Sequence, residues 1–342
     1  MIGPMPFGFL IGGAVAIASR LRRPAATPPV VTIDPTLGHP AAAELLGALH
    51  RDDAPTVVRV LATSTDPVVR NHLVGMMSDN PGRPGWSDGL VERYPHEPAA
   101  WLASGASLIG RAWEVRGHGY ASAVEADAWP AFFEMLREAD TQLVRAGELD
   151  PADATPWTLA LATARGLQLG PDESTRRFQE ATARVPFHPG AVNNQLQNLC
   201  VKWGGSAEDM FAFTHWVLRS APPGSAAHQV VPMAHFEHVA QLMRDDPDLT
   251  ISGYFHRPDV LAELKEAAYR SVFHDSFGND LVGILCQNVF AFAFTCAGEL
   301  GPARRLYLAI GDRVTERPWM YVGEPAVVFT KLRAGARGYD VR

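Results

Sequence analysis

Histidine is the residue type with the most chemistry to offer in this chain. His228, His235 and His238 fall within eleven residues, and Glu237 stands among them. On one helix, steps of seven and three keep the three imidazoles within about a third of the circumference. His215 can approach from the preceding helix. Three imidazoles, or two and the carboxylate, make a ligand set for zinc or iron. The three-residue step from His235 to His238 needs ligands from a second helix, and the sequence identifies none. The expectation is therefore histidine as a satisfied polar residue at a helix interface, with no metal and no cofactor. A metal-dependent protein or enzyme using His228, His235, Glu237 and His238 is the alternative.

Two other groups have residue types suited to recognition. Arg111, Trp113, Arg116 and His118 end one helical stretch beside a segment from Arg116 to Ala128 that reads as an insertion. Arg and Trp dominate interaction hot spots, and insertions in helical arrays map to one face. The competing reading puts Trp113 in the core and pairs the arginines with Glu134 and Glu138. Lys202-Trp203-Gly204-Gly205-Ser206 has the look of an anion cradle, since backbone N–H groups at a helix start bind phosphate. Capping explains it more simply: Gly204 and Gly205 end one helix in left-handed geometry, and Ser206 caps the next with Asp209 three positions on. Only Lys202 is left over, so Lys202 and Trp203 join the partner-binding candidates. A small-molecule binder using the Arg111–His118 stretch is a further alternative.

Motifs of known chemistry are missing from the sequence. There is no GxSxG, HExxH, P-loop or paired CxxC, so no nucleophile elbow, zincin site or nucleotide cradle is expected. Gly117-His-Gly119 half-resembles a dinucleotide loop but follows a helix rather than a strand. No catalytic residue is proposed.

The elements that position these groups are helical. Apolar residues recur at three- and four-residue steps from Pro40 onward, with Pro and Gly at segment ends. In Asp127–Gly147, Trp129, Phe132, Phe133, Leu136, Ala139, Leu143 and Ala146 form one stripe, with Glu134, Arg137, Glu138 and Asp140 facing away and Gly147 placed after the last turn. Strand-like runs are confined to Val30–Ile33, Thr250–Phe255 and Met320–Val322. The chain reads as all-α.

At 342 residues it exceeds the usual single-core size. A net charge of −7 leaves no global basic field, so no nucleic-acid partner is expected. Three scattered cysteines exclude a disulfide framework and a four-thiolate zinc site. Met1 to Ser19 carries no charge, and Arg20, Arg22 and Arg23 follow it. Basic residues prefer the cytoplasmic side. Residues 1–29, an apolar segment and a Pro/Ala linker, are therefore expected to give weak membrane association through residues 1–23, with the rest of the chain cytoplasmic at the inner face of the plasma membrane. Leu281–Gly298 is also uncharged apart from Glu299 beyond it, but charged helices flank it, and a buried central helix is expected there.

The repeat is the most informative pattern. Tyr94-Pro-His-Glu-Pro-Ala-Ala-Trp101, Asp150-Pro-Ala-Asp-Ala-Thr-Pro-Trp157 and Val185-Pro-Phe-His-Pro-Gly-Ala-Val192 align, each with a proline, five residues and then a large apolar residue opening a helix. Pro151 and Pro186 lie 35 positions apart, close to the tetratricopeptide period. Leu169-Gly-Pro171 and Leu300-Gly-Pro302 mark turns between paired helices. Helix pairs of this kind bury their apolar faces only by stacking.

The order Trp101, Arg111-Ala-Trp113, Arg116-Gly117, Leu149-Asp150-Pro151, Lys202-Trp203-Gly204-Gly205-Ser206 and Pro318-Trp319 resembles a family of actinobacterial tetratricopeptide-like proteins known only as a domain of unknown function. The likeness runs from about Leu45 to Arg337. It implies a helical-repeat fold and carries no activity. The expected architecture is a superhelix of stacked antiparallel helix pairs over residues 40–335, acting as a non-catalytic scaffold for a protein or peptide partner.

Overall fold

Proline placement explains where many of the helices begin. Its fixed φ suits the first turn, where the missing N–H has no partner to lose. The computed structural model describes residues 29–79, 85–117 and 124–336. Among the described residues there are sixteen α-helices and no strand. The first nine are α1 (Pro40–His50), α2 (Ala54–Thr63), α3 (Pro67–Asp79), α4 (Leu90–Arg93), α5 (Pro98–Arg116), α6 (Ala128–Leu149), α7 (Thr155–Gly166), α8 (Pro171–Arg184) and α9 (Pro189–Leu199). They are followed by α10 (Ala207–Ser220), α11 (Val230–Asp245), α12 (Ile251–Phe255), α13 (Pro258–Tyr269), α14 (Leu281–Cys296), α15 (Leu300–Ile310) and α16 (Pro325–Ala336). Proline opens or nearly opens α1, α2, α3, α5, α7, α8, α9, α13 and α16. At four helix starts, α2 among them, a side chain caps: Asp53, Ser206, Thr250 and Asp280 each accept from the N–H three residues on, satisfying a donor the helix leaves open.

The three aligned corners share one geometry. Tyr94, Asp150 and Val185 each donate back to the carbonyl four residues earlier at 3.0 Å. Glu97, Asp153 and His188 then close a turn onto the same three residues at 3.2 Å each.

The described chain divides into two compact units. Residues 38–198 form the first; residues 29–37 and 199–336 form the second. In the first unit, α5 is the buried centre, packed on α6 and touching α2, α3, α4 and α7. Its small residues allow this: a Cβ on Gly105 would stand 3.1 Å from Leu143 of α6. A buried arginine ties the next three helices together. Arg177 of α8 donates to Asp140 of α6 at 3.0 Å through Nη2, to the Ala160 carbonyl and Thr163 hydroxyl of α7 at 2.8 and 2.9 Å, and to Glu173 at 2.6 Å.

In the second unit α14 is the centre, with fourteen of its sixteen residues buried. Phe292 packs on Phe236 and Trp319, and Trp319 on Phe329 and Tyr307. Asn288, fully buried, serves this aromatic cluster by accepting from Trp319 Nε1 at 2.9 Å and donating to the Arg313 carbonyl at 3.1 Å. No helix among the described residues is long and apolar enough to cross a membrane. The segment at residues 1–23 lies outside the described residues.

Several local expectations are corrected. Thr250–Phe255 is a capped helix, and Met320–Val322 falls at a 3-10 turn, Trp319–Tyr321. Val30–Ile33 is irregular, the Val31 N–H being spent on the Thr330 hydroxyl. Aromatic and β-branched residues made these runs look strand-like, but capping and burial decide them. Leu300-Gly-Pro302 does not separate two helices; it is the first turn of α15, and the left-handed turn sits earlier, at Gly298. Gly147 lies inside α6, where a Cβ would stand 3.2 Å from the Trp157 indole nitrogen. Asp140 faces inward to Arg177 rather than away.

Candidate functional site

Helical spacing builds a polar cleft in the first unit. On α5, Ser104, Leu108 and Arg111 fall at steps of four and three; on α6, Glu134, Glu138 and Gln142 fall at steps of four, so each set forms one stripe. The stripes face a cavity of about 310 Å³ whose third side is the turn Ser87–Gly89 and the start of α4. Gly89 holds that turn in left-handed geometry at φ 60°. Arg93 fixes it by donating to the Asp88 and Gly89 carbonyls at 2.8 and 3.2 Å. Asp88 and Glu92 therefore project at the mouth of the cleft, among its lining residues.

The charges here are not mutually neutralised. Among the described residues, no ion pair within 4.0 Å engages Arg111, Glu134, Asp88 or Glu92. Gln142, only 6% exposed, donates through Nε2 to Glu138 at 3.2 Å, and its Oε1 accepts from nothing. Buried acceptors are ordinarily paired; several amide oxygens of the described chain are not, and Gln142 is the one among them whose residue lines this cleft.

Arg111 is thus half-buried in a cleft, but its sequence neighbours are placed otherwise. Trp113 is 2% exposed and Arg116 5%. The Arg116 guanidinium lies 5.3 Å from the centre of the Trp113 ring and 5.5 Å from that of Trp129. Burial lowers the pKa of this guanidinium below the usual arginine range. The pair Trp113 and Arg116 belongs to the packed end of α5 and does not present a surface anchor. His118 lies outside the described residues.

Lys202 and Glu237, singled out for different chemistry, meet each other. Lys202 Nζ stands 2.7 Å from Glu237 Oε2 with both side chains largely buried, and Tyr321 reaches the second carboxylate oxygen at 3.5 Å. The rest of the five-residue corner is structural. Gly204 alone is left-handed, at φ 90°; Gly205 is required by close approach, since a Cβ there would stand 2.1 Å from the Leu199 carbonyl. Ser206 accepts from the Asp209 N–H at 3.0 Å. Neither Lys202 nor the glycines form an anion cradle, and Trp203 ends the 3-10 turn before them.

The histidines separate in the same way. His228 is fully buried, bound through Nδ1 to the Ser225 carbonyl at 2.9 Å, with Arg270 on its other nitrogen at 3.4 Å. Burial lowers its pKa first, and Arg270 adds to this. Glu237 turns to Lys202, leaving His235 and His238 together around the Phe211 ring at 5.2 and 5.3 Å. Burial, with His235 and Arg257 adding, lowers the pKa of His238 too.

Two residues that carry no sequence signal complete this cluster. Tyr254 places its hydroxyl 2.9 Å from His235 Nδ1. Glu263 of α13 bridges the imidazoles, with Oε1 3.2 Å from His215 Nε2 and Oε2 3.3 Å from His235 Nε2. The second contact is close but off the hydrogen-bonding axis, leaving both atoms without a formed bond. The His235 imidazole first, with His215 adding to it, holds the Glu263 carboxyl below its ordinary value against the effect of burial. Among the described residues, no three His, Cys, Asp or Glu side chains converge as a metal would require. The arrangement is a line of polar groups from the half-exposed His215 to the buried Tyr254 hydroxyl, in which only the His235–Tyr254 step is a formed hydrogen bond.

The sequence matches no protein-family model and no curated protein.

Proposed function

We propose that the chain is a non-catalytic, tetratricopeptide-like helical-repeat scaffold that holds a protein or peptide partner in the cleft between α4, α5 and α6. The single observation carrying this reading is the cleft itself: charged side chains with no ion pair around a buried amide oxygen that no group in the described chain satisfies. The repeated corner geometry at Tyr94, Asp150 and Val185 supports the stacked-pair architecture. The cytoplasmic setting, with weak membrane association through residues 1–23, belongs to the same proposal and is tested by fractionating the full chain beside one starting at Pro24.

Partner binding is tested with two arginines of the same helix. Arg111→Glu should abolish capture of peptides selected against the intact protein while lowering Tm far less than Arg116→Glu does, because Arg111 makes no ion pair among the described residues. Arg116→Glu should lower Tm by about 10 °C or more, because it places a carboxylate against two indole rings in the packed end of α5, a burial costing several kcal/mol. If Arg111→Glu leaves binding intact, the cleft is not the partner site.

A second reading is favoured by one observation. His215, Glu263, His235 and Tyr254 lie in line from the surface to a buried hydroxyl, and small rotations that formed the Glu263–imidazole bonds would make the line a proton-transfer path. It replaces the ligand set His228, His235, Glu237 and His238 as the basis for an enzyme. Its test is metal analysis of the purified protein together with Glu263→Gln in any activity screen.

A further inference from the structure

The scaffold reading leaves the partner's chemistry open, and the cleft's charge pattern narrows it. Residues 38–198 contain 20 Asp and Glu, 13 Arg and no Lys, so this unit alone holds the whole net charge of −7. Among the described residues four of these carboxylates, Asp88, Glu92, Glu134 and Glu138, line the cleft, against one cation, Arg111. The field at the cleft is therefore negative, and a cationic ligand gains from it before any contact forms.

An acidic cluster alone does not define an occupant, but two neighbouring groups do. Gln142 lines the wall, and its buried Oε1 lacks a donor within the described chain, so a ligand that turns this amide toward itself with an N–H or O–H satisfies a group the fold leaves open. A bare metal ion has none. Arg111, the one cation of the lining among the described residues, has no acceptor among them and opposes a ligand that is positive throughout. The ligand that answers both demands joins a cationic donor to a carbonyl, which is what a basic residue within a peptide provides. Glu134 and Glu138, one turn apart on α6, present carboxylates to the same space, and a planar guanidinium can serve two such acceptors where an ammonium serves as a point charge.

Resting on the scaffold reading, we infer that the cleft receives the guanidinium of an arginine in a basic peptide segment, with Glu134, Glu138 and Gln142 Oε1 accepting from it and Arg111 donating to the peptide backbone.

The test uses the full chain and fluorescent, end-capped peptide pools, randomised except for a central position fixed as Arg, Lys, Gln or Glu. The Arg pool should bind at least tenfold tighter than the Gln pool, the Lys pool should fall between them, and binding should weaken as salt is raised. Glu134→Gln with Glu138→Gln should cancel the advantage of the Arg pool. Gln142→Met should weaken Arg-pool binding without lowering the Tm of the peptide-free protein. Spermidine should compete poorly, because it offers Arg111 nothing. If the Gln or Glu pool binds as well as the Arg pool and Arg111→Glu abolishes that binding, the scaffold reading stands and the arginine assignment is overturned. If spermidine binds as tightly as the Arg pool, the occupant is a free polyamine and the peptide is overturned. If no pool binds the folded protein, both readings fail.

Discussion

Arg177 offers the sharpest test of what holds the first unit together. Its side chain is 5% exposed and engages three helices at once: Asp140 on α6, the Ala160 carbonyl and Thr163 hydroxyl on α7, and Glu173 on its own helix. Replacing Arg177 with Met keeps most of the aliphatic volume and removes every donor. Asp140, 20% exposed, then keeps its charge beside an apolar side chain, with the Thr163 hydroxyl as its remaining donor. Breaking one side of a buried pair costs about 3–5 kcal/mol, and the partial exposure of Asp140 places this case near ~3. A unit of this size loses roughly 2–4 °C per kcal/mol, so calorimetry should show the affected transition about 6–12 °C lower. Removing both charges, Arg177→Met with Asp140→Leu, should recover more than half of that loss, since a well-packed apolar pair replaces a buried ion pair at little cost. A fall of under about 2 °C for the single variant would refute the account. A double variant no more stable than the single would show that the hydrogen bonds to α7, not the ion pair, hold the helices.

Three further outcomes follow from the same packing. Arg176, with Arg177 adding, pulls the Glu173 carboxyl down to about 2. Its contribution is then fully present above the ordinary value near 4.5 and disappears as pH falls toward 2, so Glu173→Gln should flatten the acid limb of a Tm-against-pH curve, less so in high salt because Arg176 is half-exposed. Asn288→Ala should cost about 2–4 kcal/mol by urea titration, because it strands Trp319 Nε1 and the Arg313 carbonyl in the core; a loss below about 1 kcal/mol would mean that the aromatic cluster reorganises around the gap. Lys202→Met should destabilise by about 3 kcal/mol at neutral pH by leaving Glu237 buried opposite an apolar chain, and Glu237→Gln in the same protein should restore part of it.

What the sequence makes legible here is whatever depends on neighbours in the chain. Proline at first turns, the Ser206 cap and the corners at Tyr94, Asp150 and Val185 are set by residues three to six apart, and they appear as the spacing implies. Helical type and the buried character of Leu281–Cys296 belong to the same class. Contacts between distant helices are different. Lys202 looked like a phosphate ligand because Glu237, 35 positions on, is invisible to local spacing. Glu237 looked like a metal ligand for the converse reason. Glu263 and Tyr254 sit in unremarkable helical sequence, yet His235 finds both of them. Gln142 could be read only as the next residue on the Glu134–Glu138 face; that its acceptor is buried and open depends on how α5 meets α6. Asp140, assigned to solvent by its charge, was misplaced because a buried arginine 37 positions later needs it.

The use of arginine in residues 38–198 links these observations to the cleft. Thirteen cations there are all arginine, and several of them work as clamps across elements. Arg70 donates to the Leu61 and Ser64 carbonyls at the end of α2 and to Asp153 in the corner before α7. Arg184 reaches the Pro151 carbonyl while its guanidinium lies 5.4 Å from the centre of the Trp157 ring. Arg116 stacks on two indoles, and Arg177 joins three helices. A planar fork with five donors can satisfy several carbonyls and a carboxylate at once, and a lysine cannot. Short helices joined by tight corners leave many carbonyls open at their ends, so one fork closing two or three of them explains the preference without any appeal to a ligand. Arg111 departs from that use. It is half-buried, it lines a cavity rather than an interface, and none of its donors is engaged within the described chain. The carboxylates opposite it are equally without an ion pair among the described residues. The unit's other buried arginines close internal contacts, and that contrast is the reason our proposal assigns Arg111, half-buried among the cleft's carboxylates, to contact with a partner.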